Sequence, residues 1–129
     1  MKKSQAYNVI DLFSGAGGMS LGFKLQGDFR TLAAVDNWKP ACETIKFNNP
    51  EIEVINGDLN DIHVQDQVSG KSVFESLVKF AGCVDIILGG PPCQGMSLAG
   101  KRLTNDHRNQ LFLSFVEFVN LLPPKVFVM

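Results

Sequence analysis

Tyr7-Asn8-Val9-Ile10-Asp11-Leu12-Phe13, followed by Ser14-Gly15-Ala16-Gly17-Gly18, is the stretch that decides the fold. Its first half is apolar and rich in β-forming residues, which predicts a strand that runs into an acid. The glycine cluster behind it predicts a turn opening a helix from Met19 to Leu25. The apolar positions of that helix, Met19, Leu21, Phe23 and Leu25, do not fall on one clean face. Outward from there the same unit recurs. Thr31 to Val35 reads as a second strand, again ending in an acid, Asp36. Lys39 to Phe47 reads as a helix with Pro40 tolerated in its first turn and Asn48-Asn49-Pro50 as its stop. Glu51 to Ile55 alternates as a third strand and leads into Gly57-Asp58. The stretch 61–70 is polar and carries no pattern. Lys71 to Phe80 follows as a helix with Val73, Phe74, Leu77, Val78 and Phe80 on a broad apolar face. Val84 to Leu88 is apolar enough to predict a strand buried on both sides. An irregular stretch from Gly89 to about Asp106 precedes an apolar helix, Gln110 to Leu122, closed by Pro123-Pro124. Val126 to Met129 begins a fifth strand. Strands alternating with helices predict an α/β architecture of about five mostly parallel strands with flanking helices.

Composition narrows the function classes. The 129 residues are 45% hydrophobic and 19% charged, which suits one globular domain rather than a disordered or fibrous chain. No apolar run approaches the roughly 20 residues that cross a bilayer, and the start lacks the apolar stretch and cleavage site of a secretory signal. Three cysteines, Cys42, Cys83 and Cys93, suggest neither a disulfide framework nor a zinc site. A cytoplasmic protein without metal and without a membrane partner is expected. Twelve basic against thirteen acidic residues give a net charge of −1. A small protein that grips a duplex alone usually carries a strong basic excess. Either nucleic acid is not the partner, or the basic surface lies mostly on another piece.

In an open parallel sheet the ligand site lies beyond the carboxyl ends of the strands, where strand order reverses. Asp11, the Ser14–Gly18 turn, Asp36, Asp58 and the Gly89-Gly90-Pro91-Pro92-Cys93 loop should therefore crowd one edge. The glycine turn is not GxGxxG, and no lysine follows it as a phosphate-binding loop requires. An acid ending the second strand suits a ribose hydroxyl pair, and Asp58 suits an adenine amino group. Two acids and a neutral turn point to a nucleoside without phosphates, S-adenosylmethionine more than NAD. Cys93 follows two glycines and two prolines just past a buried strand, a placement that suits a thiolate nucleophile held at a set position. His63 and His107, the two histidines, have no triad-like context. Lys101, Arg102, His107 and Arg108 cluster after Cys93; a phosphate contact and a solvated loop both fit them.

These residues resemble the C5-cytosine DNA methyltransferase family over nearly the whole chain. Asp11-Leu12-Phe13-Ser14-Gly15-Ala16-Gly17-Gly18 is similar to its first motif. Gly89-Gly90-Pro91-Pro92-Cys93-Gln94-Gly95-Met96-Ser97 is similar to its catalytic loop, and Asp106-His107-Arg108 with Leu111-Phe112 to the segment after it. The resemblance implies a Rossmann-like S-adenosylmethionine-dependent methyltransferase fold, ending here after about five strands. It implies a cofactor pocket lined by Phe13, Ser14, Gly15, Ala16, Gly17 and Gly18, with Asp36 on the ribose and Asn37 or Trp38 beside the adenine. Asp58 and Leu59 would form the adenine-contacting pair, while Pro91 and Leu111 would pack around the cofactor. Cys93 would add to C6 of a flipped-out cytosine so that C5 takes the methyl group, leaving S-adenosylhomocysteine as product; the flip is needed because stacked ring atoms are out of reach. Gln94 and Ser97 would lie at the DNA backbone, with Lys101 and Arg102 nearby, and Arg108 would help order the closing loop.

The chain departs from the family pattern at several places. Asp36 stands where Glu is commoner, the aromatic beside the adenine is displaced by one position, Met96 replaces a frequent Phe, and Glu117 stands where arginine is common. The family's strand matching Lys125 to Met129 runs into Glu-Asn-Val, whose Glu protonates the cytosine, and a target-recognition domain follows. Residues 1–129 are thus expected to be the N-terminal portion of the catalytic domain, inactive alone, acting on double-stranded DNA together with a C-terminal part or a complementary subunit. Self-association through an exposed fifth-strand edge is the accompanying expectation. Methylation of transfer RNA, a non-catalytic cofactor-binding fragment or split-enzyme subunit, and a Rossmann-like dehydrogenase are the alternatives.

Overall fold

The structure is a computed structural model that describes residues 5–61, 69–92 and 108–129, with Arg108 and Asn109 described by backbone alone. Among the described residues nine elements run in the order β1 (Tyr7–Leu12), α1 (Gly18–Gln26), β2 (Phe29–Asp36), α2 (Lys39–Asn48), β3 (Glu53–Asn56), α3 (Val73–Val78), β4 (Ile86–Gly89), α4 (Arg108–Leu121) and β5 (Val126–Val128). Every described strand pairing is parallel, and the sheet order is β3-β2-β1-β4-β5. The chain thus winds outward from β1 to β3, then returns to the other side of β1. The order reverses between β1 and β4, and a crevice beyond their carboxyl ends follows from that reversal. This is the α/β class the sequence predicts.

Side chains alternate across the sheet, so each buried strand feeds two cores. On one face Val9, Ile86 and Leu88 meet Phe23 of α1 and Phe29, while Ala34 packs with Ile45 of α2 and with Ile52. On the other, Ile10, Leu12, Ala33, Val35 and Ile87 form the larger core with Leu77 of α3 and with Phe115, Phe118 and Leu122 of α4 and its end. All four β4 residues are buried, as their uniformly apolar sequence predicts. Two glycines allow close packing near the strand ends. A Cβ on Gly57 would run into Val73, and one on Gly89 into the ring of Phe115.

Three of the departures from the sequence expectation have a visible local cause. The third strand begins at Glu53, two residues late, because Ile52 N–H bonds to Asn49 O and keeps 51–52 in the preceding turn. The fourth begins at Ile86, because Asp85 is occupied: its Oδ2 accepts Asn8 N–H at 2.8 Å and its carboxylate meets Lys125 at 2.7 Å. Helix α3 is confined to Val73–Val78 by a capping box, in which Ser72 Oγ accepts Glu75 N–H and Glu75 accepts Ser72 N–H. The fifth strand, at the sheet edge, leaves Val126, Phe127 and Val128 exposed.

Candidate functional site

The turn after β1 gathers three residues of positive φ within five positions. Phe13 adopts φ +57°, the one non-glycine residue with positive φ among those described, and Gly15 and Gly17 follow at +53° and +90°. A bulky side chain in the left-handed region is strained and persists only where its surroundings hold it. Here the surroundings are explicit. Phe13 packs against the large core, Ser14 N–H bonds to Val35 O at 3.0 Å, and Gly15 N–H bonds to Asp36 Oδ2 at 2.8 Å.

Asp36, the last residue of β2, ties two turns together. Its Oδ2 accepts Gly15 N–H and its Oδ1 accepts Trp38 N–H, also at 2.8 Å, which closes a local turn into α2. Each carboxylate oxygen accepts more than one hydrogen bond, so both retain capacity for a ligand. Asp58, just past β3, is built alike: its Oδ1 accepts Asn60 N–H at 2.8 Å. Asp11 differs from the sequence expectation. It is not at the edge with the other acids but inside β1, between Ala34 and Leu88, and 1% exposed. Its carboxylate is turned to α1, where it accepts the Ser20 hydroxyl. Burial pushes its carboxyl up to about 6; the Ser20 hydrogen bonds oppose that shift and the Asp36 charge adds to it.

Beyond the strand ends lies a cleft with about 500 Å³ of empty space, lined among the described residues by Phe13, Gly15, Asp36, Asn37, Gly57, Asp58, Leu59, Gly90, Pro92 and Leu111. The structure thereby brings together seven of the residues expected at the cofactor: Phe13, Gly15, Asp36, Asn37, Asp58, Leu59 and Leu111. Ser14 sits behind them, buried against Val35; Ala16, Gly17, Gly18 and Pro91 are outside the lining. Trp38 is at the N-cap of α2 and 65% exposed. Gly57, Gly90 and Pro92 are wall residues that sequence reasoning quoted in motifs without assigning to the pocket. Their signal was position, one residue from Asp58 or in the loop before Cys93. Cys93, Gln94, Ser97, Lys101 and Arg102 lie outside the described residues; Arg108 starts α4, with its side chain likewise outside them.

The donor set fits a nucleoside better than a nucleotide. Two carboxylates offer acceptors for hydroxyl and amino groups, the turn allows close backbone approach, and Leu59, Leu111 and Phe13 supply apolar walls. No lysine, arginine or histidine stands among the described lining residues to receive phosphates. Among the described residues no three side chains are grouped to hold a metal ion, and no helix is long and apolar enough to cross a membrane.

Residues 7–129 match the family model of the C-5 cytosine-specific DNA methylases. The chain belongs to that family. It is 43% identical over 122 residues to the type II methyltransferase M.DdeI of Desulfomicrobium norvegicum, covering 95% of this chain and 27% of that protein. It is 42% identical to M.AquIA of a Picosynechococcus strain, covering 94% and 46%. The chain therefore spans a quarter to a half of these relatives' length. Among solved structures, an Escherichia coli prophage protein named as a DNA modification methyltransferase superposes with a TM-score of 0.71 at 35% identity, covering 95% of this chain and 31% of that one. The assignment to the C-5 cytosine methylase family supports S-adenosylmethionine as cofactor and S-adenosylhomocysteine as product, and the acidic, phosphate-averse cleft fits that pair.

Proposed function

We propose that this chain is the cofactor-binding and nucleophile-bearing portion of a DNA cytosine-C5 methyltransferase. One observation carries the reading: the cleft walled by Phe13, Asp36, Asp58 and Leu111 shares Gly90 and Pro92 with the segment that leads directly to Cys93. That Cys93 follows Pro92 directly in the sequence supports a cofactor and a nucleophile acting at one place. The cofactor, when bound, supplies an electrophilic methyl group. The chain's own Cys93 thiolate adds to C6 of an extruded cytosine, raising electron density at C5. After methylation a base takes the C5 proton and the cysteine leaves, restoring the ring. Phe13, Asp36, Asp58, Leu59 and Leu111 bind and orient the cofactor, while Gln94, Ser97, Lys101, Arg102 and Arg108 meet the nucleic-acid backbone. The exposed β5 edge, together with relatives two to four times longer, supports a complementary segment or subunit pairing there.

Two measurements test this. Calorimetric titration of the chain with S-adenosylmethionine is expected to show saturable one-to-one binding, retained in Cys93→Ser; no binding, or a preference for NAD, refutes the cleft assignment. A chimera in which this chain replaces the matching segment of M.DdeI is expected to methylate duplex DNA and to lose transfer on Cys93→Ser. Transfer retained by that variant refutes the nucleophile.

A further inference from the structure

Asparagine is among the residues that strands use least, yet Asn56 ends β3, where it pairs in register with Asp36 at the end of β2. It is half-buried, and it is not among the residues lining the cleft. Its amide accounts for its presence: Nδ2 donates to the main-chain carbonyl oxygen of Asp36 at 3.0 Å. The same oxygen accepts Gly57 N–H at 3.1 Å and the Cys42 thiol at 3.3 Å. A carbonyl oxygen has two lone pairs and a thiol is a weak donor, so the two N–H bonds, from consecutive residues, are the firm ones.

Both cleft acids are tied to this one oxygen. Asp36 carries it, and the Asp36 carboxylate is itself fixed by Gly15 N–H and Trp38 N–H. Asp58 directly follows Gly57. β3 is the edge of the described sheet, and its pairing with β2 ends at Asn56. Past that point a single N–H bond from Gly57 is a pivot, about which Asp58 can swing. The Asn56 amide beside it makes a two-point clasp, and Gly57 is braced on its other side by Val73, into which a Cβ at residue 57 would run. A polar group meets its ligand productively only when it is held to within about 0.5 Å by such supporting bonds. We propose that Asn56 is a positioning residue that sets the spacing of the two cleft acids, so that a nucleoside held at Asp36 by its ribose meets the Asp58 carboxylate at the amino group of its base. Asn56 thereby governs selection of an amino-bearing purine without touching the ligand. The proposal rests on the cleft being the cofactor site.

The test compares S-adenosylhomocysteine with S-inosylhomocysteine, whose ring carries a carbonyl in place of the amino group, by calorimetry on the native chain and on Asn56→Leu. Leucine keeps the branched shape of asparagine and loses the donor. The native chain is expected to prefer the adenosyl ligand about ten-fold or more, because a hydrogen bond to a charged acceptor is at stake. In Asn56→Leu the preference should shrink to about three-fold or less, through loss of adenosyl affinity with the inosyl ligand little changed. Urea unfolding should give a midpoint within about 0.3 M of native, since Gly57 N–H still serves the Asp36 carbonyl. Asn56→Ala repeats the comparison should the leucine variant fail to fold. A preference that stays at the native level, or equal weakening of both ligands, overturns the proposal and leaves Asn56 a tie between strand ends. Binding of both ligands by the native chain without preference overturns the place of Asp58 at the amino group, and the proposal with it. Binding of neither overturns the cleft reading itself.

Discussion

Gly89→Ala tests how the last residue of β4 controls the approach to the cleft. An added Cβ would stand 2.6 Å from Phe115 Cδ2, closer still to Cε2, and 3.5 Å from Leu12 O. Non-bonded carbons sit best about 3.5–4.0 Å apart, so the ring must retreat by about 1 Å or the strand must shift. Neither is easy. Phe115 is 1% exposed and wedged among Ile10, Leu12, Phe118 and Leu122, and Gly89 is paired to Leu12 across the sheet. Overpacking of this kind costs about 1–3 kcal/mol, a large share of the roughly 5–15 kcal/mol that holds a domain of this size. Urea unfolding of the chain should show a midpoint lower by about 1 M, at a denaturant dependence of about 1–3 kcal/mol per M. Phe115→Leu relieves the clash while opening space of its own. The double variant should therefore be more stable than the sum of the singles predicts by about 1 kcal/mol. Cofactor affinity should fall in Gly89→Ala and partly recover in the double variant, because Gly90 beside it lines the cleft. A midpoint within about 0.2 M of native, or strictly additive effects, would refute the claim that Phe115 dictates glycine here.

Two further outcomes are expected. Gly17→Ala should destabilise the chain by about 1–2 kcal/mol, because residue 17 holds φ +90° and its Cβ would press on Ile45 Cγ1 at 3.1 Å. Gly18→Ala, which meets nothing within 4 Å, should be neutral, and equal melting temperatures for the two would contradict this account. Ser72→Ala removes the acceptor of the α3 capping box and should cost about 1 kcal/mol in thermal or urea unfolding while leaving cofactor affinity unchanged. An affinity loss there would mean that α3 communicates with the cleft.

The first four strands were legible because each is a short apolar run that leads into an acid or a glycine, and the four described helices because proline, asparagine or a change of period bounds them. Their ends shifted where a polar side chain made a long-range bond that no local pattern announces, as Asp85 does with Asn8 and Lys125. Helix α1 is the instructive case. Its apolar residues read as aperiodic because Ser20, not one of them, is the buried position; Met19, Leu21 and Leu25 stay exposed. That inversion follows from Asp11, which needs a hydroxyl opposite it. A sequence shows an acid near a strand end but not which face of the sheet its side chain takes, and alternation put Asp11 with Val9 rather than at the rim. The cleft was legible at Phe13, Gly15, Asp36 and Asp58, where the turn chemistry is local. Trp38 was not, since its exposure follows from the Asp36 turn that starts α2.

On the proposed function, an acidic cleft and a polyanionic substrate set opposing demands on one sheet edge. Asp36 and Asp58 line the cleft with acceptors that favour a cation over a phosphate, and the chain as a whole carries a net charge of −1. The proposed chemistry nevertheless needs a nucleotide within reach of Cys93. Screening confines the repulsion of exposed charges to about 8 Å at physiological salt, so the two demands are compatible if the base enters while its phosphates stay outside that range. An extruded base meets this condition: the neutral ring goes in, and the charged backbone remains at the surface. Gly90 and Pro92 line the cleft, and Lys101, Arg102 and Arg108 follow Cys93 in the chain. Eight basic and eleven acidic residues precede Cys93, and four basic and two acidic residues follow it, so the net charge of the chain changes sign there. On the proposed function, that ordering would let one chain serve a cationic methyl donor and an anionic acceptor together.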